Sequence, residues 1–234
     1  MVRSLNGLGY ELLEMYRANN RVSDSLDIRL LKTWIQQTRA QLIKQRLDAN
    51  PFSIDEHIAQ NLGVVQFAPV DSSVSNVNLS SKYYMRSINP IPATIYTKSN
   101  IPTFTRIASI DRLERKFNLV PYERLLVSGN GKFNSDDIYV ALLGNYLILN
   151  SKSNLHKYIS NVHVRGVFAN PIDAYEFQYG VGTWSDDNEY PVSEAIVADM
   201  INMIVDKKFR LVLNQIEDKV SNGEDDTTNI TPRK

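Results

Sequence analysis

Residues 26–47 read LDIRLLKTWIQQTRAQLIKQRL, and this stretch decides how the rest of the chain is organised. Apolar or small side chains recur there at three- and four-residue spacing, with Trp34 beside them: Ile28, Leu31, Ile35, Thr38 and Leu42. This period predicts a long helix with one buried face. The Ser-Asp-Ser run at 23–25 supplies candidate N-caps. Asn50-Pro51 predicts the end of the helix, because a residue before proline avoids the helical conformation.

Two further helices are predicted on the N-terminal side of the chain. Leucines at 5, 8 and 12 and Met15 share the helical period. Gly7 and Gly9 weaken the beginning of this helix, so we expect it to start near Tyr10. After Pro51, a short helix is predicted over Ser53–Gly63, because Ser53 and Glu56 have the spacing of a capping box.

From Val64 to about Phe168 the pattern changes to short β-type runs. The clearest pair is Asp137–Leu143 and Tyr146–Leu149, joined by Gly144-Asn145, a two-residue loop suited to a hairpin. Prolines at 90, 92 and 102 indicate edge strands or strand ends. The other predicted strands are 64–70, 83–88, 93–96, 104–110 and 161–168, and a single helical turn is predicted at 171–176.

The C-terminal part is helical again. We expect Pro191 to be the first helical residue, because proline suits that position. Ile196, Met200 and Ile204 continue at helical spacing, and Lys207-Lys208 is the expected joint if this segment forms two helices. The composition after about Lys219 is polar and acidic, which is typical of a flexible tail that a partner orders.

These patterns predict an α+β fold in which the N- and C-terminal segments form one helical bundle around an inserted antiparallel β domain. We place the bundle at 1–62 plus 190–219, the β domain at 63–189 and the tail at 220–234. Three separate small layers are the alternative, but they would leave each helix pair little surface to pack against.

Composition excludes several function classes. The 234 residues carry 26 Lys plus Arg and 26 Asp plus Glu, whereas free-standing nucleic-acid binders usually have a basic surplus. The chain has no cysteine, which excludes disulfides, thiolate zinc sites and cysteine nucleophiles. No signal peptide and no run long enough to span a membrane is visible, so we expect an intracellular product with no membrane partner.

Few residues are suited to catalysis or metal binding. The histidines at 57, 156 and 163 show no metal-ligand spacing such as His-x-x-x-His, and Gly129–Lys132 lacks the spacing of a phosphate-binding loop. We therefore expect no catalytic residue, no cofactor and no metal. The enzymatic alternative is a small hydrolase that uses Asp136, Asp137 and His163, which requires these three side chains to converge in one pocket.

One helix stands out by its charge. Residues 28–47 contain five basic residues and no acidic one: Arg29, Lys32, Arg39, Lys44 and Arg46. Such a helix can face nucleic acid or an acidic protein partner, and pairing with acids elsewhere in the chain is the alternative. Tyrosine is also abundant and favoured at interfaces, so Tyr83 and Tyr84 join the candidate interface residues, although strand tyrosines in a core would give the same count.

The run Ser4–Arg17 (SLNGLGYELLEMYR), followed by Asp24–Arg29 and Trp34-Ile35, resembles the start of a virion structural protein of crAss-like tailed phages. The Gly131–Asn134 turn is similar to the same family, and the resemblance spans most of residues 4 to 215. Two further stretches share it: Gly166–Phe168 with Pro171, and Tyr190-Pro191. More distantly, helical ends around a β insertion resemble the adaptor proteins of short-tailed phages, on architecture alone.

The resemblance implies a ring-forming protein of the neck and tail, between portal and tail hub. Its expected partners are further copies of itself in a ring of about twelve subunits, the portal, other neck and tail ring proteins, and genomic DNA passing through the lumen. It would be found in the virion, after assembly in the bacterial cytoplasm. We expect the arm at 71–82 and the tail after Lys219 to contribute to contacts. Another tail or capsid accessory protein is the alternative within the same particle.

Overall fold

The computed structural model describes residues 3–19, 26–50, 54–71, 83–110, 116–129, 131 and 133–210. The helices are α1 (Leu5–Asn19), α2 (Ile28–Ala49), α3 (Tyr122–Leu125), α4 (Pro171–Tyr179) and α5 (Glu194–Met203), with a 3₁₀ turn at Leu155–Tyr158 and a π-helical turn at Ile204–Phe209. The strands are β1 (Gln60–Asp71), β2 (Tyr83–Ser87), β3 (Phe104–Ser109), β4 (Asn118–Leu119), β5 (Tyr139–Leu143), β6 (Tyr146–Asn150) and β7 (Asn161–Gly166).

Helix α1 begins at Leu5, so the expected start near Tyr10 is wrong. The Ser4 hydroxyl accepts a hydrogen bond from the backbone N–H of Gly7 at 3.1 Å and thereby caps the helix. Gly9 lies where α1 approaches α2, because a Cβ atom there would be 3.4 Å from Cγ1 of Ile28. Packing between the two helices therefore outweighs the low helix propensity of glycine.

Helix α2 confirms the element predicted from the opening stretch, with a different cap. Asp27 is the N-cap, and its Oδ1 accepts from the backbone N–H of Arg29 at 2.9 Å. The predicted caps at 23–25 lie outside the described residues. At the other end, the N–H of Asn50 donates to the carbonyl of Arg46 at 2.8 Å, which closes the helix where Pro51 predicts its end.

The last helix starts later than the sequence predicts. Helix α5 begins at Glu194 after the N-cap Ser193, so the placement of Pro191 as first helical residue is wrong. The carbonyl of Pro191 instead accepts a hydrogen bond from Nε of Arg39 at 2.7 Å. Helix α5 continues directly into the π-helical turn, so Lys207-Lys208 lies within one continuous helical segment that reaches Phe209.

The two ends of the chain share one hydrophobic core, as the α+β prediction requires. Buried side chains from α1, α2 and α5 meet there, including Leu12, Ile35 and Met200. Phe209 packs against Tyr16 and Trp34, with ring centroids 5.1 and 6.3 Å apart. Because the stripe of α2 contacts both α1 and α5, this helix holds the two ends together. The exact domain boundaries stay a prediction.

The helix predicted over Ser53–Gly63 is wrong in the part that is described, because β1 begins at Gln60. Gly63 has a φ of 70° and lies at a register shift between β1 and β7, which is a β-bulge. The extra residue lets Leu62 and Val65 face the same core although they are three positions apart. Gly63 therefore shifts which residues of β1 face the core, whereas the sequence pattern predicts that it ends a helix.

The strands form one seven-stranded sheet in the order β3-β7-β1-β2-β6-β5-β4. All pairs are antiparallel, as predicted for the β domain, except β4 with β5, whose parallel pairing makes the sheet mixed. The predicted hairpin of β5 and β6 is confirmed, with Gly144 at a φ of 58°. The N–H of Phe117, just before β4, donates to Ile107 of β3 at 2.8 Å, which nearly closes the sheet into a barrel.

Near the hairpin, successive side chains of a strand point to opposite faces of the sheet, and both faces are buried. In β5, Val140 lies in the main core of the sheet, whereas Tyr139 and Ala141 point to a smaller core on the opposite face. Leu125 of the short helix α3 covers this second core. The predicted strand at 93–96 consists only of isolated bridges, and the helical turn predicted at 171 extends through all of α4. Within the described ranges, no helix is both long and apolar enough to cross a membrane.

Candidate assembly surfaces

The basic residues of α2 do not act as one surface. Lys32, Arg39 and Arg46 are spaced seven residues apart and lie on the side of the helix that meets residues 186–199. Each of the three binds a group in that segment or beside it. These three basic residues are therefore bound within the chain, which is the alternative to an exposed interface. Their seven-residue spacing puts them on one side of the helix, and this signal is present in the sequence.

Arg39 is fully buried at the centre of this contact. Its Nε donates to the carbonyl of Pro191 at 2.7 Å, and its Nη1 donates to the carbonyl of Phe168 at 3.1 Å. Its guanidinium carbon lies 5.7 Å from the ring centroid of Tyr190, within cation–π range. One side chain of α2 thus joins the segment before α5 to the end of the barrel.

Burial shifts the pKa of both Arg39 and Tyr190. Desolvation lowers the pKa of Arg39, and the neighbouring Tyr190 partly opposes that change. Burial raises the pKa of Tyr190 to about 12, with Arg39 acting in the opposite direction. The Tyr190 hydroxyl is therefore neutral near neutral pH, and the guanidinium carries the charge of the pair.

Lys32 and Arg46 extend the same contact at its two ends. Nζ of Lys32 lies 2.6 Å from Oδ2 of Asp186, and both side chains are partly buried. Burial tends to raise the pKa of Asp186, but the hydrogen bonds from Lys32 and Trp184 lower it overall. Nη2 of Arg46 donates to the carbonyl of Ala195 at 2.8 Å and to Asp199 at 2.9 Å.

The other predicted interface residues differ in exposure. Arg29 and Lys44 are exposed on α2, about 22 Å apart along the helix and within about 60° of the same face. Tyr84 is 1% exposed and belongs to the small core on the outer side of the sheet. Tyr83 is the first residue of β2, where its Cα pairs with that of Asp71. Among the side chains that the structure describes, Arg29 and Lys44 remain candidates for the predicted interface, and the role of Tyr83 also stays a prediction. Residues 72–82 of the predicted arm at 71–82 lie outside the described residues.

The residues of the hydrolase alternative lie on or just before strands that are not neighbours in the sheet. His163 is in β7, between β1 and β3, whereas Asp136 and Asp137 precede β5, between β4 and β6. Burial lowers the pKa of His163, and Arg106 and Arg165 lower it further. Among the described residues, no three His, Asp or Glu side chains are grouped as metal ligands would be.

A cleft that sequence reasoning missed lies between the start of β1, α4 and the loop before Pro191. It has a volume of about 520 Å³. Three aromatic rings line it: the centroid of Tyr175 is 4.5 Å from that of Tyr179 and 5.2 Å from that of Trp184. Glu56 and Glu189 are exposed at its edge. We call this site the aromatic cleft; tertiary folding creates it, because its parts are far apart in sequence.

Comparison with known families adds an independent observation. The family model described as phage tail ring protein 2 matches residues 8–227, which is nearly the whole chain and includes both helical ends and the entire sheet. No curated protein matches the chain.

Proposed function

Because the chain belongs to the family of phage tail ring proteins described as phage tail ring protein 2, we propose that it is a structural virion protein that forms a homo-oligomeric ring in the neck or tail. The family match over residues 8–227 carries this proposal. The described structure is compatible with it, because a helical bundle packed against a nearly closed sheet forms a compact unit that can repeat around an axis. The scattered positions of Asp136, Asp137 and His163 favour a non-catalytic role over the hydrolase alternative.

The ring is proposed to close by head-to-tail contacts, in which one patch of a subunit meets a different patch of the next. We propose about twelve copies, and a ring of that size would have a mass of about 0.3 MDa given a subunit of 26.7 kDa. Mass photometry of the purified protein, together with electron microscopy of virions, tests the stoichiometry. A protein absent from purified particles would refute the proposal, whereas an isolated monomer alone would not, because the ring can require its neighbour in the particle to close.

We further propose that the ring stands between the portal and the tail as a head–tail connector and forms part of the conduit for DNA during genome ejection. The exposed Arg29 and Lys44, in a stretch of α2 without carboxylates, suit a wall that faces passing phosphates. Replacing both by Gln should leave ring assembly intact and lower the infectious titre per particle. Equal titres per particle would contradict the conduit proposal while leaving the ring proposal in place.

The location follows from the same proposal. The protein would assemble in the bacterial cytoplasm and remain in the virion, with the portal and other ring proteins as its neighbours. Cross-linking mass spectrometry of intact particles would identify these neighbours. Cross-links only to capsid proteins would favour the alternative of a capsid accessory protein.

A further inference from the structure

The aromatic cleft offers hydrogen-bond acceptors and ring faces and is therefore suited to a cation. The side chains of Glu56 and Glu189 are exposed at its edge, and Glu56 keeps 89% of its side chain exposed despite Arg165 at 3.9 Å. Nε2 of Gln60, a residue that also lines the cleft, donates to the carbonyl of Pro171 at 2.9 Å. Carboxylates and tyrosine rings together recognise an ammonium group beside an aromatic or aliphatic side chain.

A surface with the complementary chemistry lies in the segment 151–160, which contains two lysines and no acidic residue. The buried His156 anchors its 3₁₀ turn, so that the following Lys157 and Tyr158 project outwards. Tyr158 is 87% exposed, and Leu155 beside it is 38% exposed. Lys157 makes no ion pair with any residue in the described part of the chain. We call this segment the basic turn.

The basic turn and the aromatic cleft lie at opposite ends of the same strand. The turn immediately precedes Asn161, the first residue of β7. The cleft includes Gln60, whose Cα pairs with that of Gly166 at the last residue of β7. Five residue steps of a strand separate these ends by about 17 Å. The turn of a subunit therefore cannot reach its own cleft, but it is placed to reach the cleft of a neighbouring copy.

We propose that Lys157 and Tyr158 of one copy dock in the aromatic cleft of the next copy, with Lys157 against Glu189. This inference rests on the proposed ring function and names the contact that builds the ring. It satisfies the requirement of a head-to-tail interface for two different, complementary patches on each subunit. The two patches carry opposite charges, so they attract each other although the net charge of the chain is zero.

Charge exchange tests the contact directly. In sedimentation velocity, Lys157→Glu and Glu189→Lys should each weaken self-association by about 10- to 100-fold, because each places like charges opposite one another. The double variant, and an equimolar mixture of the two single variants, should restore it, since every contact in an alternating assembly is again complementary. The matched controls are Lys116→Glu and Glu123→Lys, which reverse exposed charges elsewhere and should leave association unchanged.

A second measurement uses the absence of cysteine from the chain. Mixing Lys157→Cys with Glu189→Cys subunits under oxidising conditions should give a disulfide-linked dimer, because docking brings the two positions together. Each subunit then carries a single cysteine, so this disulfide can form only between two copies, and it needs their Cα atoms within about 7 Å. The control mixture of Lys116→Cys with Glu123→Cys should remain largely monomeric on a denaturing gel.

The outcomes separate this inference from the proposed function. Wild-type self-association that neither single variant weakens overturns the docking contact and leaves the ring proposal standing. Weakening without rescue by charge exchange, or failure of the cysteine pair to cross-link, also overturns it. A wild-type chain that self-associates at no concentration overturns the inference too, whereas the presence of the protein in virions decides the proposed function.

Discussion

Replacing Arg39 by Met tests whether the buried guanidinium holds the helical bundle to the barrel. The substitution keeps a long side chain and removes two charge-assisted hydrogen bonds, to the carbonyls of Pro191 and Phe168. Each such bond contributes about 1.5–3 kcal/mol, and a buried carbonyl left without a donor costs about 1–3 kcal/mol. Burying the charge of Arg39 costs desolvation free energy, and the neutral Met avoids this cost, which offsets part of the loss.

We expect the net loss for Arg39→Met to be about 2–4 kcal/mol in the free energy of unfolding. Urea titration followed by tryptophan fluorescence measures it, because Trp34 and Trp184 both adjoin the helical core. Arg39→Lys should fall between the wild type and Arg39→Met, since lysine retains a donor but cannot bind both carbonyls in the same geometry. Lys44→Met, on the exposed side of the same helix, is the control and should change stability by less than about 0.5 kcal/mol.

An Arg39→Met protein within about 0.5 kcal/mol of the wild type would refute the reasoning, because the two hydrogen bonds would then contribute no net stability. So would a Lys44→Met protein that is destabilised equally, since the effect would then belong to the helix as a whole. A lower slope of free energy against urea concentration in Arg39→Met would indicate that the bundle and the barrel have stopped unfolding together.

Four further predictions concern single groups and the tail. Because the pKa of Tyr190 is raised to about 12, stability present below pH 10 should fall by about 2 to 3 kcal/mol as pH rises to 12, and Tyr190→Phe should reduce that loss in urea titrations at each pH. The pKa of His163 is lowered from its usual 6.5, so stability present above that pH should decrease as the solution is acidified, and an acid titration of His163→Gln with an unchanged slope would contradict the assignment. Gly166→Ala should cost about 1–3 kcal/mol in thermal or urea unfolding, because its Cβ would lie 2.9 Å from the carbonyl oxygen of Thr103. Removing residues 220–234, which lie outside the described residues, should leave the unfolding free energy unchanged and impair assembly; normal particle assembly by the shortened chain would count against a role for the tail.

Local pattern predicts the elements whose partners are close in sequence. The stripe of α2 is visible because a helix repeats every 3.6 residues, whatever it packs against. The β5–β6 hairpin is visible because Gly144 occupies a conformation that few other residues tolerate. In both cases the physical cause acts within a few residues, so the sequence by itself determines the outcome.

The candidate surfaces depend on contacts between distant segments, and the sequence indicates them only in part. The charge of α2 is plain, yet its division into inward Arg39 and outward Lys44 depends on where α5 and the end of β7 are placed. The basic turn is a run without acids, but the sequence holds a longer one at 72–110, so the pattern alone does not single out this segment. Its complement, the aromatic cleft, joins residues near 56, 175 and 189 and exists only after folding.

The sequence by itself determined the α+β class, the central helix and the hairpin, and it contains only three histidines and no cysteine. Only the tertiary structure decided that Gly7 and Gly9 lie inside a helix, that Gly63 is a bulge in a strand, and that Phe117 nearly closes the sheet. The physical reason is the same in each case. Propensities and caps contribute about 1 kcal/mol or less per residue, and burial against a distant segment contributes more, so packing overrides the local preference wherever the two disagree.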